Sequence, residues 1–327
     1  MTEPMPPLKT WSHLAKNRRR PTEYEIVSTN LLWSTSDPSA PWAMGPDTAV
    51  SRLVLRHRNG SALAHPDWDG FRDPHGLVYR TYNAIQDGQE AYVDGLLDDH
   101  AKNEHDDGLP PTWVDLLARL YTPGRFLTHA LQMSSAYQVV MAPASTIVNC
   151  FAFQCGDQLR WVSRLAYRTV ELSRAHPKRG FAAAERKHWE STPEWQGFRE
   201  LVERALITWD WAEQFVAINL VAKPAVDAAV LRQLGRAARD IGDTLAAFLA
   251  DAQLVDSDRS RIWSSALVSY ATTVAGNTET LRRWTSKWAP LGDRAIEAYC
   301  AGLENGAAAA RAAKDEVHTY RQRLGLE

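Results

Sequence analysis

Residues 144–175 read ASTIVNCFAFQCGDQLRWVSRLAYRTVELSRA, a run without proline that ends just before Pro177. In a helix of this length, steps of three and four residues place side chains on one face. Apolar residues fill both ends of that face and two glutamines occupy its middle, so the run is predicted to be a buried helix with a polar centre. The face consists of Ile147, Phe151, Gln154, Gln158, Trp161, Leu165 and Arg168.

The polar residues of this helix crowd into the segment FQCGDQLRW, residues 153–161. Gln158 and Trp161 have the spacing of the Glu-x-x-His pair that binds metal in di-iron helical bundles. One interpretation is that glutamines in a large helical core hydrogen-bond their neighbours and fix the packing register. The other is that the cluster is the remnant of a lost metal site. The pattern of this helix alone leaves both interpretations open.

From about residue 76 onward the chain has helical patterning throughout. Apolar residues recur at near-helical intervals, and Pro and Gly separate the segments. The period-two alternation typical of strands is almost absent. The sequence therefore predicts an all-α domain with a charged loop at 176–197 and with Pro224 ending a helix. The predicted helices are 75–100, 112–120, 123–141, 144–175, 198–223, 226–238, 240–252, 256–275, 278–303 and 307–323.

The composition is that of a globular protein without a strong charge bias. Of the 327 residues, 45% are hydrophobic and 23% are charged, and the formal net charge is -2. This balance gives no electrostatic reason to expect a nucleic-acid or membrane partner. Three cysteines without a CxxC motif indicate buried thiols in a reducing compartment. No run of about 18 apolar residues is present, so a cytoplasmic protein without a membrane anchor is expected.

The first 60 residues have a different character. They are rich in Pro, Ser, Asn and Asp, yet they carry large apolar groups that disordered tails usually lack. We expect an extended arm over residues 1–60 that lies across a partner, followed by one helical domain over 61–327. The basic segment KNRRRP is interpreted as a solvated or partner-facing turn. The interface candidates are Trp11, Trp33, Trp42, Arg18, Arg19 and Arg20.

Most motifs of self-contained catalysis are missing from the sequence. There is no GxxxxGK[ST], GxGxxG, HExxH or GxSxG pattern. One literal Glu-x-x-His occurs at Glu185 and His188, but it has no second copy and a basic neighbourhood, so we interpret it as an exposed helical turn. Asp315 and His318 receive the same interpretation.

A second segment repeats the residue pattern found at the polar centre of the first helix. Asp258-Arg259-Ser260-Arg261-Ile262 has the form Asp-x-x-Arg-x, as does Asp157-Gln158-Leu159-Arg160-Trp161. Both can be written as Asp-Glu-x-Arg-His with the two ligand residues replaced. The repeated pattern favours the interpretation that the polar cluster is the remnant of a lost metal site.

The chain resembles the β subunit of the hydroxylase component of bacterial multicomponent, soluble di-iron monooxygenases, in the branch of the toluene, alkene and isoprene monooxygenases. The resemblance covers nearly the whole chain, and only the final 25 or so residues are less distinctive. It is carried by KTWSHLAKNRRRPTEYEIVS (9–28), DPHGLVYRTYNAIQDGQEAYV (73–93), LQMSSAYQVVMAPASTIVNC (131–150), DQLRWVSRLAYRTVELS (157–173), PEWQGFRELVE (193–203), FVAINLVAKP (215–224) and PLGDRAIEAY (290–299).

This resemblance implies a ferritin-like, ribonucleotide-reductase-like bundle that has lost its iron. In the family the catalytic α subunit carries the di-iron centre, and the β subunit shares its fold without metal. Gln158 and Trp161 then stand at the first Glu-x-x-His, Arg259 and Ile262 at the second, and Lys223 near the third glutamate. The fourth falls within residues 128–132, where Gln132 is the candidate. No metal ligand and no catalytic residue is expected in this chain.

The resemblance also implies a large assembly with the chemistry elsewhere. The expected partners are the catalytic α subunit and a small γ subunit in an (αβγ)₂ hydroxylase. A Rieske-type 2Fe-2S ferredoxin, an FAD-containing reductase and a small effector protein would serve it, and one atom of O₂ would enter an aromatic or alkene hydrocarbon. Two alternatives stay open: a stand-alone ferritin-like oxidase with an unusual ligand set, and a free-standing helical protein that binds a small molecule.

Overall fold

The computed structural model describes residues 19–29 and 48–327. Within these ranges the chain forms helices and no strand, so the predicted all-α class is confirmed. The helices are α1 Glu23–Ser28, α2 Ala49–Val54, α3 Tyr79–Lys102, α4 Pro111–Leu116, α5 Gly124–Met141, α6 Ser145–Ala175, α7 Glu185–Ser191, α8 Pro193–Leu206, α9 Trp211–Ile241, α10 Thr244–Ala271, α11 Asn277–Cys300 and α12 Gly306–Arg323. Wider π-type turns extend α2 over Leu55–Asn59 and α4 over Leu117–Tyr121.

Two helical hairpins form the centre of the molecule. α5 and α6 are joined by a short connection through Pro143, and α9 and α10 by Gly242 and Asp243. Gly242 has a φ of 89°, which favours glycine, and the Asp243 carboxylate accepts a hydrogen bond from the backbone N–H of Ala246 at 2.9 Å. α3 packs on α10, while α8, α11 and α12 cover the other side. The hairpins therefore enclose a four-helix core, as the ferritin-like prediction requires.

α9 corrects the prediction that Pro224 ends a helix. The helix runs through Pro224, which is flanked by π-type turns over Val216–Ala222 and Val226–Gln233. Proline removes one backbone donor, and wider turns redistribute the hydrogen bonds around it. α9 is apolar and long enough to cross a membrane, but 94% of its most apolar window is buried inside the protein. It is the core helix of the bundle.

Three other predicted boundaries also differ from the structure. The predicted helix 198–223 is interrupted at 207–210, where the Asp210 carboxylate caps the start of α9 by accepting from Ala212 N at 2.9 Å. The segments 240–252 and 256–275 are one helix, α10, because nothing between them breaks it. The charged loop 176–197 contains α7 and the first turns of α8.

The N-terminal region has local structure where it is described. The part of the expected extended arm that the structure describes contains two short helices, α1 and α2. The Tyr24 hydroxyl accepts a hydrogen bond from Asp73 N at 3.1 Å, which ties α1 to the body. Arg19 precedes α1 and pairs with Glu25 of that helix at 2.5 Å, and Arg20 is exposed. The candidates Trp11, Arg18, Trp33 and Trp42 lie outside the described residues.

Candidate functional site

A cluster of neutral polar side chains lies at the centre of the four-helix core. Gln154 donates to the Ser135 hydroxyl at 2.9 Å, and Ser135 donates to Gln158 Oε1 at 2.8 Å. On the opposite hairpin, Asn219 donates to Gln154 Oε1 at 2.9 Å and to Ser264 Oγ at 3.0 Å. All five residues are buried. This amide cluster joins α5, α6, α9 and α10 through side chains rather than through a bound group.

Two ion pairs cross between α6 and α10 beside the amide cluster. Arg259 of α10 bonds the Asp157 carboxylate of α6, and Arg160 of α6 lies 3.3 Å from the Asp256 carboxylate of α10. α6 and α10 therefore each contribute one Asp and one Arg, three residues apart, and each Arg bonds the Asp of the other helix. We call these four residues the crossed ion pairs. Their two positive and two negative charges balance, which lowers the cost of burying them.

Three further side chains satisfy the carboxylates of the crossed ion pairs. Gln86 of α3 donates to Asp157 at 2.9 Å and to Asp256 at 3.0 Å. The Tyr82 hydroxyl donates to Asp157 at 2.8 Å, and the Trp161 indole N–H donates to Asp256 at 2.9 Å. The lone pairs that a metal would need are therefore already used.

Burial and the neighbouring Asp256 raise the pKa of Asp157 to about 6, against the opposing effect of Arg259. The direction has a plain cause, since removal from water disfavours the ionised form and a second carboxylate adds repulsion. The crossed ion pairs thus contain one carboxyl group that takes up a proton under mildly acidic conditions.

Lys223 belongs to a separate polar branch between α9 and α10. Its ammonium group lies 3.3 Å from the Ser257 hydroxyl, which donates to Asp227 at 2.7 Å. Arg261 bonds the other oxygen of Asp227 at 3.1 Å and reaches Glu316 of α12 at 2.9 Å. This branch ties α12 to the core.

The structure shows that the counterpart of residues 157–161 on α10 does not begin at Asp258, as predicted, but two residues earlier, at Asp256. Ile262 has 43% of its surface exposed and does not face the amide cluster. The residues on α10 that match Asp157, Gln158, Arg160 and Trp161 by position and contacts are Asp256, Ser257, Arg259 and Ser260. The inward positions opposite Gln158 and Trp161 are therefore Ser257 and Ser260, both buried.

The assignment of Gln132 also fails. Gln132 is only half-buried and donates to the Cys155 sulfur at 3.3 Å, away from the amide cluster. Ser135 is the residue of α5 that enters the cluster. Of the predicted positions, Gln158 and Trp161 lie at the centre, Arg259 is one of the crossed ion pairs, and Lys223 lies on its own branch.

Comparison with known proteins agrees with this architecture. Residues 54–274 match the family described as Methane/Phenol/Alkene Hydroxylase. The chain is 48% identical over 299 residues to the hydroxylase component subunit beta of the toluene-4-monooxygenase system of Ectopseudomonas mendocina, covering 91% of both chains. The chain belongs to this hydroxylase family. A more distant relative, the hydroxylase component small subunit of propane 2-monooxygenase of Gordonia sp. (strain TY-5), is 26% identical over 86% of this chain and 77% of its own.

A solved structure from the same family shares the fold in detail. It is toluene 4-monooxygenase with toluene bound in its resting active site, and one of its chains superposes with a TM-score of 0.88 at 47% identity. The match covers 93% of this chain and 100% of that chain. The ferritin-like bundle predicted from the sequence is therefore confirmed.

The side chains at the centre of this hydroxylase-family bundle do not fit a di-iron centre. Such centres in helical bundles take carboxylates from four helices and imidazoles from two. Here the inward positions on α6 and α10 carry an amide, an indole and two hydroxyls, and Lys223 adds a positive charge. Among the described residues no three His, Cys, Asp or Glu side chains are grouped as a metal site requires.

The Glu-x-x-His motif at Glu185 and His188 makes hydrogen bonds to neighbouring residues of the described chain. Glu185 is buried, which corrects the expected exposed turn. Its carboxylate accepts from Ala182 N at 2.7 Å and from the Thr122 hydroxyl at 3.3 Å. His188 lies 3.1 Å from Thr192, and burial lowers its pKa. Near the C-terminus, His318 contacts Glu327 at 2.9 Å rather than Asp315.

A small apolar cavity lies beyond Trp161. It has a volume of about 40 Å³ and is lined mainly by Leu97, Leu127, Leu165, Val230 and Leu249. An apolar cavity that holds benzene measures about 150 Å³. This cavity is therefore too small for an aromatic hydrocarbon.

Proposed function

We propose that this chain is the non-catalytic β-type subunit of a hydrocarbon monooxygenase hydroxylase. The observation that carries the proposal is its 48% identity, over 91% of both chains, to a hydroxylase subunit beta. The filled centre of the bundle supports it, because neutral amides, hydroxyls and an indole stand where the family's catalytic subunit would carry iron ligands. We infer that the chain binds no metal and contains no catalytic residue.

In the proposed assembly the di-iron centre lies entirely in a larger α subunit. The complex is an (αβγ)₂ hydroxylase that acts in the cytoplasm and inserts one atom of O₂ into an aromatic or alkene hydrocarbon. NAD(P)H supplies electrons through an FAD-containing reductase and a Rieske-type 2Fe-2S ferredoxin, and a small effector protein modulates the complex. The relatives act on toluene and propane according to their names.

The proposed contribution of this chain is mechanical. The helical body over 61–327 packs beside a catalytic bundle of similar shape, and the arm over 1–60 wraps that partner. The amide cluster and the crossed ion pairs join every helix of the central bundle to its neighbours. A rigid neighbour helps a catalytic bundle to hold its ligands in place.

The test is a tagged purification from the native host grown on a hydrocarbon. Partner chains are identified by mass spectrometry, and iron is measured in each separated chain. We expect a larger chain with two Glu-x-x-His pairs to co-purify and the iron to follow that chain. If this chain is purified alone and carries stoichiometric iron, the proposal is wrong and the stand-alone oxidase is favoured. If it is purified alone without iron, the stand-alone binding protein is favoured instead.

A further inference from the structure

The outward side of α5 and α6 is unusually free of charge. Residues 126–156, which include most of α5 and the first turns of α6, contain no Asp, Glu, Lys or Arg. The two helices lie side by side and contact each other through Gln132 and Cys155. We call their outward side the α5–α6 face. Its exposed large side chains are Met133, Val140, Leu159, Tyr167 and Val170.

The face stays uncharged along α6 as far as Val170, and the exposed Arg174 follows in the last turn of the helix. The charged side chains there point sideways: Arg160 and Arg164 bond Glu90 of α3, and Arg168 bonds Asp106. Leu159 and Tyr167 meanwhile have 52% and 51% of their surface exposed. Charged residues are depleted, and aromatic residues and Met enriched, at the buried centre of protein interfaces.

Other exposed helix faces of the described chain follow a different pattern. α7 and α8 carry the surface ion pairs Arg186–Glu190, Arg199–Glu203 and Arg204–Glu200. The uncharged α5–α6 face therefore contrasts with the ion-paired surface of α7 and α8. Contiguous apolar surface of this kind marks an interaction site.

An acidic row borders the face on the side of α3. This helix carries Asp87, Glu90, Asp94, Asp98 and Asp99 against Arg80 and Lys102. The row reaches the apolar face at Tyr167, where the Glu171 carboxylate and then that of Asp98 raise the pKa of the phenol. Asp87 and Asp98 have no ion-pair partner among the described residues and stay available to a basic group.

We propose that the α5–α6 face binds the larger catalytic subunit through a helical surface with an apolar stripe and with Lys or Arg side chains opposite the acidic row of α3. The inference rests on the proposed function and names the surface that function uses. A second copy of this chain fits poorly. In a two-fold contact the acidic row would need basic groups on the same face of the other copy. Residues 126–156 have none, Arg160 and Arg164 are already paired, and Arg174 alone does not match a row of five acidic side chains.

The test uses the co-expressed hydroxylase complex and the variant Leu159→Arg. Leu159 is solvent-exposed on a helix and arginine is a good helix former, so the fold of the chain should be unaffected. We expect the affinity for the larger subunit to fall by about 100-fold, as at the centre of an interface. Ile241→Arg is the matched control, because Ile241 is 44% exposed but lies at the end of α9, away from the face. It should leave the affinity unchanged.

The acidic row is tested separately with Asp87→Lys and Asp98→Lys together. We expect association to slow by about tenfold and to lose much of its salt dependence, because rim charges act on the rate of encounter. Circular dichroism and the melting temperature of each variant confirm that it folds. Val170→Arg replaces Leu159→Arg if the latter is unstable.

The outcomes separate this inference from the function on which it rests. If the wild-type chain brings no larger subunit, the proposed function fails and this inference with it. If the wild-type chain assembles and Leu159→Arg and Val170→Arg assemble equally well, only the α5–α6 face is refuted. If the isolated chain is a dimer that Leu159→Arg converts to a monomer, the face binds a second copy and the proposal is overturned.

Discussion

Gln158 provides the sharpest residue-scale test of a filled centre. Its Oε1 accepts from Ser135 at 2.8 Å, but its buried amide nitrogen has no partner. Gln158→Glu would bury an unpaired charge, so we expect the free energy of unfolding to fall by about 3 kcal/mol or more. Gln158→Met has a similar shape and removes the unpaired donor, so we expect a change within about 1 kcal/mol. Urea unfolding followed by tryptophan fluorescence measures both. Equal losses would mean that the side chain contributes through its shape alone.

Asp157 predicts a pH dependence with a definite sign. Its pKa in the folded chain is about 6 against 3.8 for the free side chain, so the folded state binds the proton more tightly. The stability from this group is complete below pH 3.8 and is lost as the pH rises through 6, by on the order of 3 kcal/mol. Asp157→Asn lacks this titration. The stability of the wild type relative to Asp157→Asn should therefore fall between pH 4 and 6.5 in urea unfolding. Parallel pH profiles would contradict the shifted pKa.

At the residue scale, the sequence predicts the side chains that α6 contributes to the polar centre but not those that α10 contributes. Gln154, Gln158 and Trp161 follow from the helical face of α6; the structure places the two glutamines in the amide cluster and Trp161 against the crossed ion pairs. The segment DSDRSR contains Asp-x-x-Arg twice, at Asp256 and again at Asp258. Spacing alone cannot separate the two frames. Only burial does so, because it turns Ser257 and Ser260 inward and leaves Ile262 at the surface.

At the element scale, the packing of α8 on α11 depends on one glycine. A Cβ on Gly197 would lie 2.6 Å from the Ala295 Cα, which is backbone and cannot rotate away. We expect Gly197→Ala to destabilise the chain by about 1–3 kcal/mol, since overpacking outweighs the better helix propensity of alanine. Gly95→Ala is the control, because Gly95 lies in an exposed part of α3 with open space around its Cα. It should stabilise the chain by about 0.5–1 kcal/mol. Thermal unfolding compares the two, and the same sign for both would contradict this account of the helix contact.

The errors in element boundaries have a common physical origin. Pro224 is a helix breaker in isolation, but the core around α9 excludes water and the π-type turns rearrange the backbone bonds beside it. The split predicted within α10 has no breaking residue behind it, and packing keeps the helix continuous. Local signals were sufficient for α5 and α6, whose ends are marked by Pro143 and Pro177, but the cap Asp243 of α10 lay inside the predicted helix 240–252. They failed where tertiary packing overrides propensity.

At the scale of the whole molecule, the body and the arm make separable contributions. The crossed ion pairs, the amide cluster and the Lys223 branch connect the helices of the body, including α3 and α12. Of the described residues before α3, Tyr24 and Glu23 tie α1 to the body. We therefore expect the fold to be independent of residues 1–18, whereas the proposed assembly uses an aromatic side chain there.

Deletion of residues 1–18 tests this separation. The shortened chain keeps Arg19 and its pair with Glu25, so α1 retains its cap. We expect the helical circular dichroism per residue and the melting temperature to stay close to those of the full chain. The affinity for the catalytic subunit should fall, because the deletion removes the candidate anchor Trp11. Trp11→Ala in the full chain should reproduce part of that loss by at least about 1 kcal/mol. A shortened chain that unfolds would assign these residues to the core of the chain itself, and one that assembles normally would remove them from the interface.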